Sequence, residues 1–307
     1  MSTYVPFILV SGLVSFITTP LVRRLAQRVQ FVDNPQARKL HLTPMPMLGG
    51  LAIYLGLMAS VMLTQQQESY TELLGIVLGA TVMTLVGLLD DRVELSPAVK
   101  MLGQLAATAI VIGAGIRTHL FAAPALDVAL TTFWILGICN AINFQDNMDG
   151  LAAGLATVAS GFFFILALLE GQGVIAGLAA ALLGASIGFL YYNFNPASLF
   201  MGDAGSMLLG FTLAVLGIEL RFSGRPLAAT WMIPILVLGV PIFDTTLVIV
   251  SRLRRGKNPL TTPGKDHLSH RLARLTGSRR EAVLICYLIA GAVGLVAVFL
   301  TEATVVE

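Results

Sequence analysis

TELLGIVLGATVMTLVGLLDDR, residues 71–92, is an apolar run that ends in two adjacent carboxylates, Asp90 and Asp91. Its length approaches the ~20 residues that an α-helix needs to cross ~30 Å of hydrocarbon. About ten runs of this kind fill the chain: approximately 4–22, 47–64, 71–89, 98–113, 125–141, 150–169, 173–192, 204–220, 227–251 and 281–300. They are continuous and rich in Leu, Ala, Gly and Val, whereas a membrane β-barrel needs short alternating strands. With 56% apolar residues, 12% charged residues and a mean hydropathy of +0.83, the chain cannot be dispersed over a water-facing surface. The expected fold is all-α: a polytopic integral membrane helical bundle of about ten transmembrane helices, forming a single transmembrane domain over residues 1–307.

With ten spans both termini share one side, and the loops near 23–46, 90–100, 140–149, 192–203 and 252–280 share the other. Of the 19 Lys and Arg residues, all but Arg117, Arg221 and Arg225 fall in those loops. Cationic loops stay in the cytoplasm, so the termini are expected outside and the loops inside, in the inner membrane of a cell. The first span has no basic leader and no small-residue cleavage site, which reads as a retained helix. Cys139 and Cys286 lie in or beside apolar spans and read as packing residues rather than a disulfide framework. The two longest polar segments, 23–46 and 252–280, are basic, which suits anionic headgroups or a phosphorylated substrate as well as simple orientation.

The polar residues gather at the cytoplasmic ends of the spans. Asp90 and Asp91 sit at a helix C-terminus, where the macrodipole disfavours anions and like charges repel. Such a pair needs a cation. Arg92 and Lys100 supply part of one, and a divalent ion supplies more, because Mg²⁺ takes one or two carboxylates, keeps waters and bridges phosphates. Asp149 and Asp203 each precede an apolar span and suit plain helix N-caps, yet helix N-termini beside Gly150, Gly202 and Gly205 are also phosphate sites. Asn140, Asn143, Asp146 and Asp149 recur every three residues, giving a polar stripe of the sort that lines a wet cavity. His267 and His270 would share a helical face, flanked by Asp266 and Arg271. No cysteine or third histidine accompanies them, so zinc is a poor reading, and a general acid, a phosphate contact and a solvated loop all stay open. Asp244 lies eight residues before Arg252, ~12 Å into the bilayer at ~1.5 Å per residue. It is either functional or a buried structural partner, in a span that Pro234 and Pro241 kink or break.

Together Asp90-Asp91, the Asn-x-x-Asn-x-x-Asp-x-x-Asp-Gly run at 140–150, Asn193-Phe-Asn-Pro-Ala-Ser-Leu-Phe-Met-Gly-Asp-Ala-Gly-Ser206 and Asp266-His267-Leu-Ser-His270-Arg271 resemble the polyprenyl-phosphate N-acetylhexosamine-1-phosphate transferases. The segment from Asp33 through Lys39 and His41 to Gly50 is similar to that family's first cytoplasmic loop, and Pro241-Ile-Phe-Asp244-Thr245 to its bent ninth span. The ordered set covers residues 30 to 272. The resemblance implies attack of a polyprenyl phosphate on the β-phosphate of a UDP-amino sugar, releasing UMP, as the first membrane step of a cell-envelope glycan. It implies Asp90, Asp91 and Asp203 around Mg²⁺, with Mn²⁺ as an alternative ion, and Asn143, Asp146, Asp149, Asn193 and Phe200 around the nucleotide. Lys39, His41, Lys100, His267, His270 and Arg271 are the expected phosphate or sugar contacts and Asn140 and Asp244 further expected substrate-binding residues, with Asp90, Asp91, His267 and His270 closest to the chemistry. The expected partners are the UDP-amino sugar, the lipid phosphate and the membrane, with no nucleic acid and a homodimer left open.

Two positions depart from the family pattern. Ser269 stands where many relatives carry a third histidine, and Asn147-Met148 where Gly-Leu is frequent. Asp-Asp-Arg at 90–92 and His-x-x-His-Arg at 267–271 resemble the branch that transfers N-acetylglucosamine-1-phosphate rather than the muramoyl-pentapeptide branch. An ion-coupled transporter is the competing class, but transporter sites lie near the midplane. A scaffold that merely holds lipid has no need of Asp90, Asp91 and Asp203 together.

Overall fold

The computed structural model describes residues 2–33, 44–63, 70–222, 230–258 and 264–303. Its helices are α1 (Val5–Arg28), α2 (Gly49–Val61), α3 (Tyr70–Val93), α4 (Pro97–Gly113), α5 (Pro124–Gln145), α6 (Leu151–Leu169), α7 (Gly173–Asn193), α8 (Gly202–Glu219), α9 (Met232–Val237), α10 (Gly239–Arg254), α11 (Leu268–Thr276) and α12 (Arg279–Ala303). Each expected apolar run coincides with a helix among the described residues, and in the ninth the described residues include both α9 and α10. Among the described residues seven helices, α1, α3, α5 to α8 and α12, are long and apolar enough to cross a membrane. The helices α2 and α4 are shorter, at 13 and 17 residues. The ninth run breaks at Leu238 between α9 and α10. Pro241 has no N–H for the carbonyl of Val237 four residues back, and its ring crowds that carbonyl.

The outer helices carry large apolar side chains with nothing packed over them: Leu13 is 57% exposed, Phe133 74%, Leu288 72% and Phe299 72%. A water-soluble monomer does not tolerate such a belt, whereas lipid tails solvate it. The centre is α8, in which 16 of 18 residues are buried. Small residues let its neighbours come close: a Cβ on Gly210 would fall 2.7 Å from Cα of Cys139 in α5, and one on Gly50 in α2 would fall 2.2 Å from the backbone N of Gly205. The first turn of α8 is therefore at the crowded middle of the bundle, and Asp203 with it.

Ahead of α2, strands β1 (Val32–Asp33) and β2 (Met45–Pro46) pair antiparallel, with Val32 opposite Pro46 and Asp33 opposite Met45. This ribbon is tied to the chain entering α8. Phe200 donates its N–H to the Pro46 carbonyl (2.9 Å), while Gly49 and Gly50 donate to the carbonyls of Phe200 (3.0 Å) and Met201 (2.9 Å). A second, smaller apolar cluster of Met148, Leu151, Leu155, Val240, Val283, Cys286 and Ala290 receives Leu268, Leu272 and Ala273, and so seats α11 against α6, α10 and α12.

Candidate active site

Asp90 and Asp91 lie in the last turn of α3, and each finds a different answer to its unfavourable place. Asp90 accepts from the Leu95 N–H (2.7 Å), which folds the chain after the helix back on itself, and pairs with Lys100 Nζ at 2.8 Å. Asp91 reaches α8, accepting the N–H groups of Asp203 (2.8 Å) and Ala204 (3.2 Å). It thus caps a helix 112 residues further along the chain, at the end where the dipole of α8 is positive. Gly202 has φ +68°, and a Cβ there would lie 2.4 Å from the Asp91 carboxylate, so glycine is required twice over. The Asp203 side chain does not cap its own helix, whose N-cap is Met201. Its carboxylate accepts from Asn143 Nδ2 (2.6 Å) and from Lys100 Nζ, so Lys100 bridges Asp90 and Asp203.

The polar stripe of 140–149 divides. Asn140 exchanges hydrogen bonds with Gln104 of α4, donating at 3.0 Å and lying away from the cavity described below, while Asn143 donates to Asp203 and to Ser206 Oγ (2.8 Å). The helix α5 ends at Gln145, leaving Asp146 and Asp149 in the turn before α6. Asp149 does not cap α6 either. The N-cap is Gly150 at φ +79°, and its N–H is taken by Asn193 Oδ1 at 3.1 Å. Asp149 instead accepts from Asn195 Nδ2 and the Ala197 N–H, both at 3.0 Å, while Asn193 Nδ2 donates to the Leu199 carbonyl (3.0 Å). These contacts shape the 193–201 loop that presents Phe200.

Asp244 is 1% exposed and is covered by the segment that starts α11 rather than opening onto a cavity. It accepts from Gln145 Nε2 (3.0 Å) and the Leu268 N–H, and lies 2.7 Å from His267 Nδ1. His267 is buried with it, at the N-cap of α11, whereas His270 faces the cavity, so the two histidines do not act as one face. Asp266 is turned away toward α10, at 2.6 Å from Arg255 and 3.5 Å from Arg252. The bond from Arg255 holds its carboxyl below the usual range. Arg271 donates from Nε to the Asp266 carbonyl (3.0 Å).

One cavity of about 740 Å³ joins these parts. Asp91, Asp146, Asp149 and Asp203 line one side, Lys265, His270 and Arg279 another, with Asp33, Met45 and Met47 from the ribbon and Phe200 and Asn193 between. Lys39 and His41 lie outside the described residues, between ribbon strands whose Asp33 and Met45 are on this wall. Burial, then repulsion from Asp203, Asp91 and Asp149, pushes the Asp146 carboxyl well above the usual carboxylate range. Among the described residues no donor or cation is paired with it. A cation beside Asp146 would relieve that repulsion. No group of three His, Cys, Asp or Glu residues among the described ones forms a closed cage. An ion bound through one or two carboxylates and completed by water and substrate phosphate fits such a wall, and that is the habit of Mg²⁺.

A sequence profile described as "Glycosyl transferase family 4" matches residues 73–221. The chain is 39% identical over 97% of its length to the probable undecaprenyl-phosphate N-acetylglucosaminyl 1-phosphate transferase of Bacillus subtilis (strain 168), covering 85% of that protein. The chain belongs to glycosyl transferase family 4. Within this family it is 34% identical over 93% of its length to the decaprenyl-phosphate N-acetylglucosaminephosphotransferase of Mycobacterium leprae (strain TN), covering 80% of it. It is 31% identical over 79% of its length to the phospho-N-acetylmuramoyl-pentapeptide-transferase of Bacillus cytotoxicus, covering 79% of it.

The two departures from the family pattern touch. Ser269 Oγ donates to Asn147 Oδ1 at 2.8 Å, and Asn147 Nδ2 donates to the Phe144 carbonyl at 2.6 Å. The pair fastens the last segment to the turn that carries Asp146. Sequence reasoning missed this contact, and with it Gln104, Gln145, Asn195, Lys265 and Arg279. Asn195 stood inside the quoted 193–206 motif, and Lys265 and Arg279 stood in the basic loop, so their charge and motif were visible but their direction was not.

Proposed function

We propose that this membrane protein transfers N-acetylglucosamine-1-phosphate from UDP-N-acetylglucosamine to undecaprenyl phosphate, releasing UMP. The observation that carries the reading is the cavity that brings Asp91, Asp146, Asp149 and Asp203 together with Lys265, His270 and Arg279, with Lys100 paired to Asp203, at the ends of membrane-crossing helices. A pyrophosphate donor and a phosphate acceptor need cationic stabilisation of the charge that develops between them. The names of the relatives in both branches describe the same type of transfer.

An oxygen of the lipid phosphate attacks the β-phosphorus of the donor, the bond from that phosphorus to the oxygen shared with the α-phosphate breaks, and UMP departs with the electron pair. The attacking phosphate is largely dianionic near pH 7, since its second pKa is ~6. It needs no strong base, and the transfer is a single displacement. Asp203 with Asp91 or Asp146 would hold Mg²⁺, which would supply charge neutralisation for the pyrophosphate. Lys100 is aimed by Asp90 and Asp203 toward the same phosphates, and Phe200, Asn143, Asp149 and Asn193 form the nucleotide side. Asp244 and His267 position the last segment. Ten crossings, with the loops inside and both termini outside, put the cavity on the cytoplasmic face where the donor is dissolved. A lone cysteine replacing Lys257 should react only with reagents that enter the cytoplasm, and one replacing Arg221 with reagents that do not.

Purified protein given undecaprenyl phosphate and Mg²⁺ should release UMP from UDP-N-acetylglucosamine. A higher kcat/KM with the UDP-muramoyl-pentapeptide in direct competition would move the chain to the other branch, and no UMP from either donor would end the assignment.

A further inference from the structure

A second cavity of about 380 Å³ adjoins the first, sharing Met148, Lys265, His270 and Arg279 with it and adding Arg274. Its charge is one-sided. The carboxylate that the sequence puts beside Lys265, Asp266, points away to Arg255 at 2.6 Å and Arg252 at 3.5 Å. Lys265 and Arg274 have no carboxylate partner among the described residues. Burial, then the neighbouring His267 and Lys265, push the imidazole of His270 down to about 4. A recess in which Lys265 and Arg274 have no carboxylate partner among the described residues suits an anion rather than a sugar or a nucleoside.

Its depth narrows the anion further. Arg279 is the first residue of α12, a membrane-crossing helix whose apolar side chains begin within one turn. On the other wall α11 is seated by Leu268, Leu272 and Ala273 on the apolar cluster around Val283 and Cys286. A phosphate against Arg279 therefore lies at the level where hydrocarbon gives way to headgroups, and the wall shared with the main cavity leads from there to the donor side.

We propose that this annex holds the phosphate monoester of the lipid acceptor, with Lys265, Arg274 and Arg279 as its contacts. The proposal rests on the functional reading above for the identity of the acceptor and goes beyond it in placing the acceptor phosphate. The two substrates are then sorted by charge. The donor pyrophosphate occupies the carboxylate side with its cation, and the acceptor waits on the cationic side with His270 between them.

The test uses the full chain in detergent, comparing wild type with the double variant Lys265→Gln/Arg274→Gln and with Arg279→Gln. Direct binding of undecaprenyl phosphate should weaken by at least about tenfold in each, since a charged hydrogen bond is typically stronger than the ~1.4 kcal/mol that tenfold requires. The KM for undecaprenyl phosphate should rise by the same factor, while the KM for UDP-N-acetylglucosamine stays within about twofold. Lys265→Arg/Arg274→Lys should retain most of the binding, which separates charge from folding. Neither phosphatidylglycerol nor inorganic phosphate at matched concentration should displace the acceptor from wild type. Unchanged acceptor binding, a rise confined to the donor KM, or equal displacement by phosphatidylglycerol would each overturn the assignment. If wild type binds the acceptor and the variants do not, yet no UMP is formed, the annex stands and the functional reading falls.

Discussion

Gly87 of α3 is the sharpest mechanical test of the site. A Cβ built on it would lie 2.4 Å from both N and Cα of Ala204 and 2.6 Å from the carbonyl carbon of Asp203. Those atoms are backbone, in the first turn of α8, so no side chain can rotate out of the way. An ordinary van der Waals contact begins near 3.4 Å, and the difference from 2.4 Å requires α3 and α8 to part by ~1 Å. Overpacking of that size costs about 1–3 kcal/mol, which this large bundle can absorb without unfolding. The displacement falls at the Asp91 cap, whose bonds to Asp203 and Ala204 are 2.8 and 3.2 Å. A shift of ~1 Å at a positioned group typically costs ~100-fold in rate. Gly87→Ala should therefore lower kcat by roughly 100-fold, with a modest fall in the unfolding midpoint in detergent. Gly137→Ala is the matched control, because nothing lies within 4 Å of a Cβ there. UMP release measured at saturating substrates, beside thermal unfolding of both variants, decides the matter. A Gly87→Ala enzyme with the turnover of the Gly137→Ala control would refute the claim that α3 sets the position of Asp203.

Asp203→Asn should leave the fold intact and abolish turnover. Chelation should silence the wild type, with Mg²⁺ or Mn²⁺ restoring it, and appreciable activity of the variant at ordinary Mg²⁺ would remove Asp203 from the metal site. Ser269→Ala deletes one bond of 2.8 Å to Asn147 and should cost ~1 kcal/mol in the seating of the last segment. The expected trace is faster proteolysis or hydrogen exchange in 264–276 with the rest of the chain unchanged, and equal protection in both proteins would count against the pair. Burial, then His267 and Lys265, push the folded His270 imidazole down to about 4 from its ordinary 6.5, so the unfolded chain binds more protons between those values. Its contribution is complete above about pH 6.5 and is lost as pH falls through the window. Subtracting the stability profile of His270→Gln from that of wild type should expose this slope, and superimposable profiles would contradict it.

The apolar runs were legible because bilayer thickness fixes how long such a run must be, and among the described residues seven of them form helices long and apolar enough to cross. The break in the ninth run was legible too, since Pro234 and Pro241 act on backbone four residues away. The satisfaction of the buried charges was not. Asp149 and Asp203 look like N-caps by local position, yet the caps of α6 and α8 come from Asn193 and Asp91 on other helices. Asp244 was visible as an intramembrane charge, but its partners His267 and Leu268 are 23 and 24 residues further on. Periodicity reports which face of a helix is polar and says nothing of which helix will meet it. The ordered motifs carried what periodicity could not, except at Asn147 and Ser269, where departure from the family pattern concealed a direct contact.

The cavity is walled by Asp33 from the ribbon, Asp91 from α3, Asp203 from α8 and Arg279 from the start of α12. These arrive at the translocon in that order, so the cavity of a growing chain lacks its α12 corner until Arg279 emerges, although Lys265 and His270 are already made. A ribosome that stalls before Arg279 leaves a fragment whose cavity is open on that side, a matter for quality-control proteases.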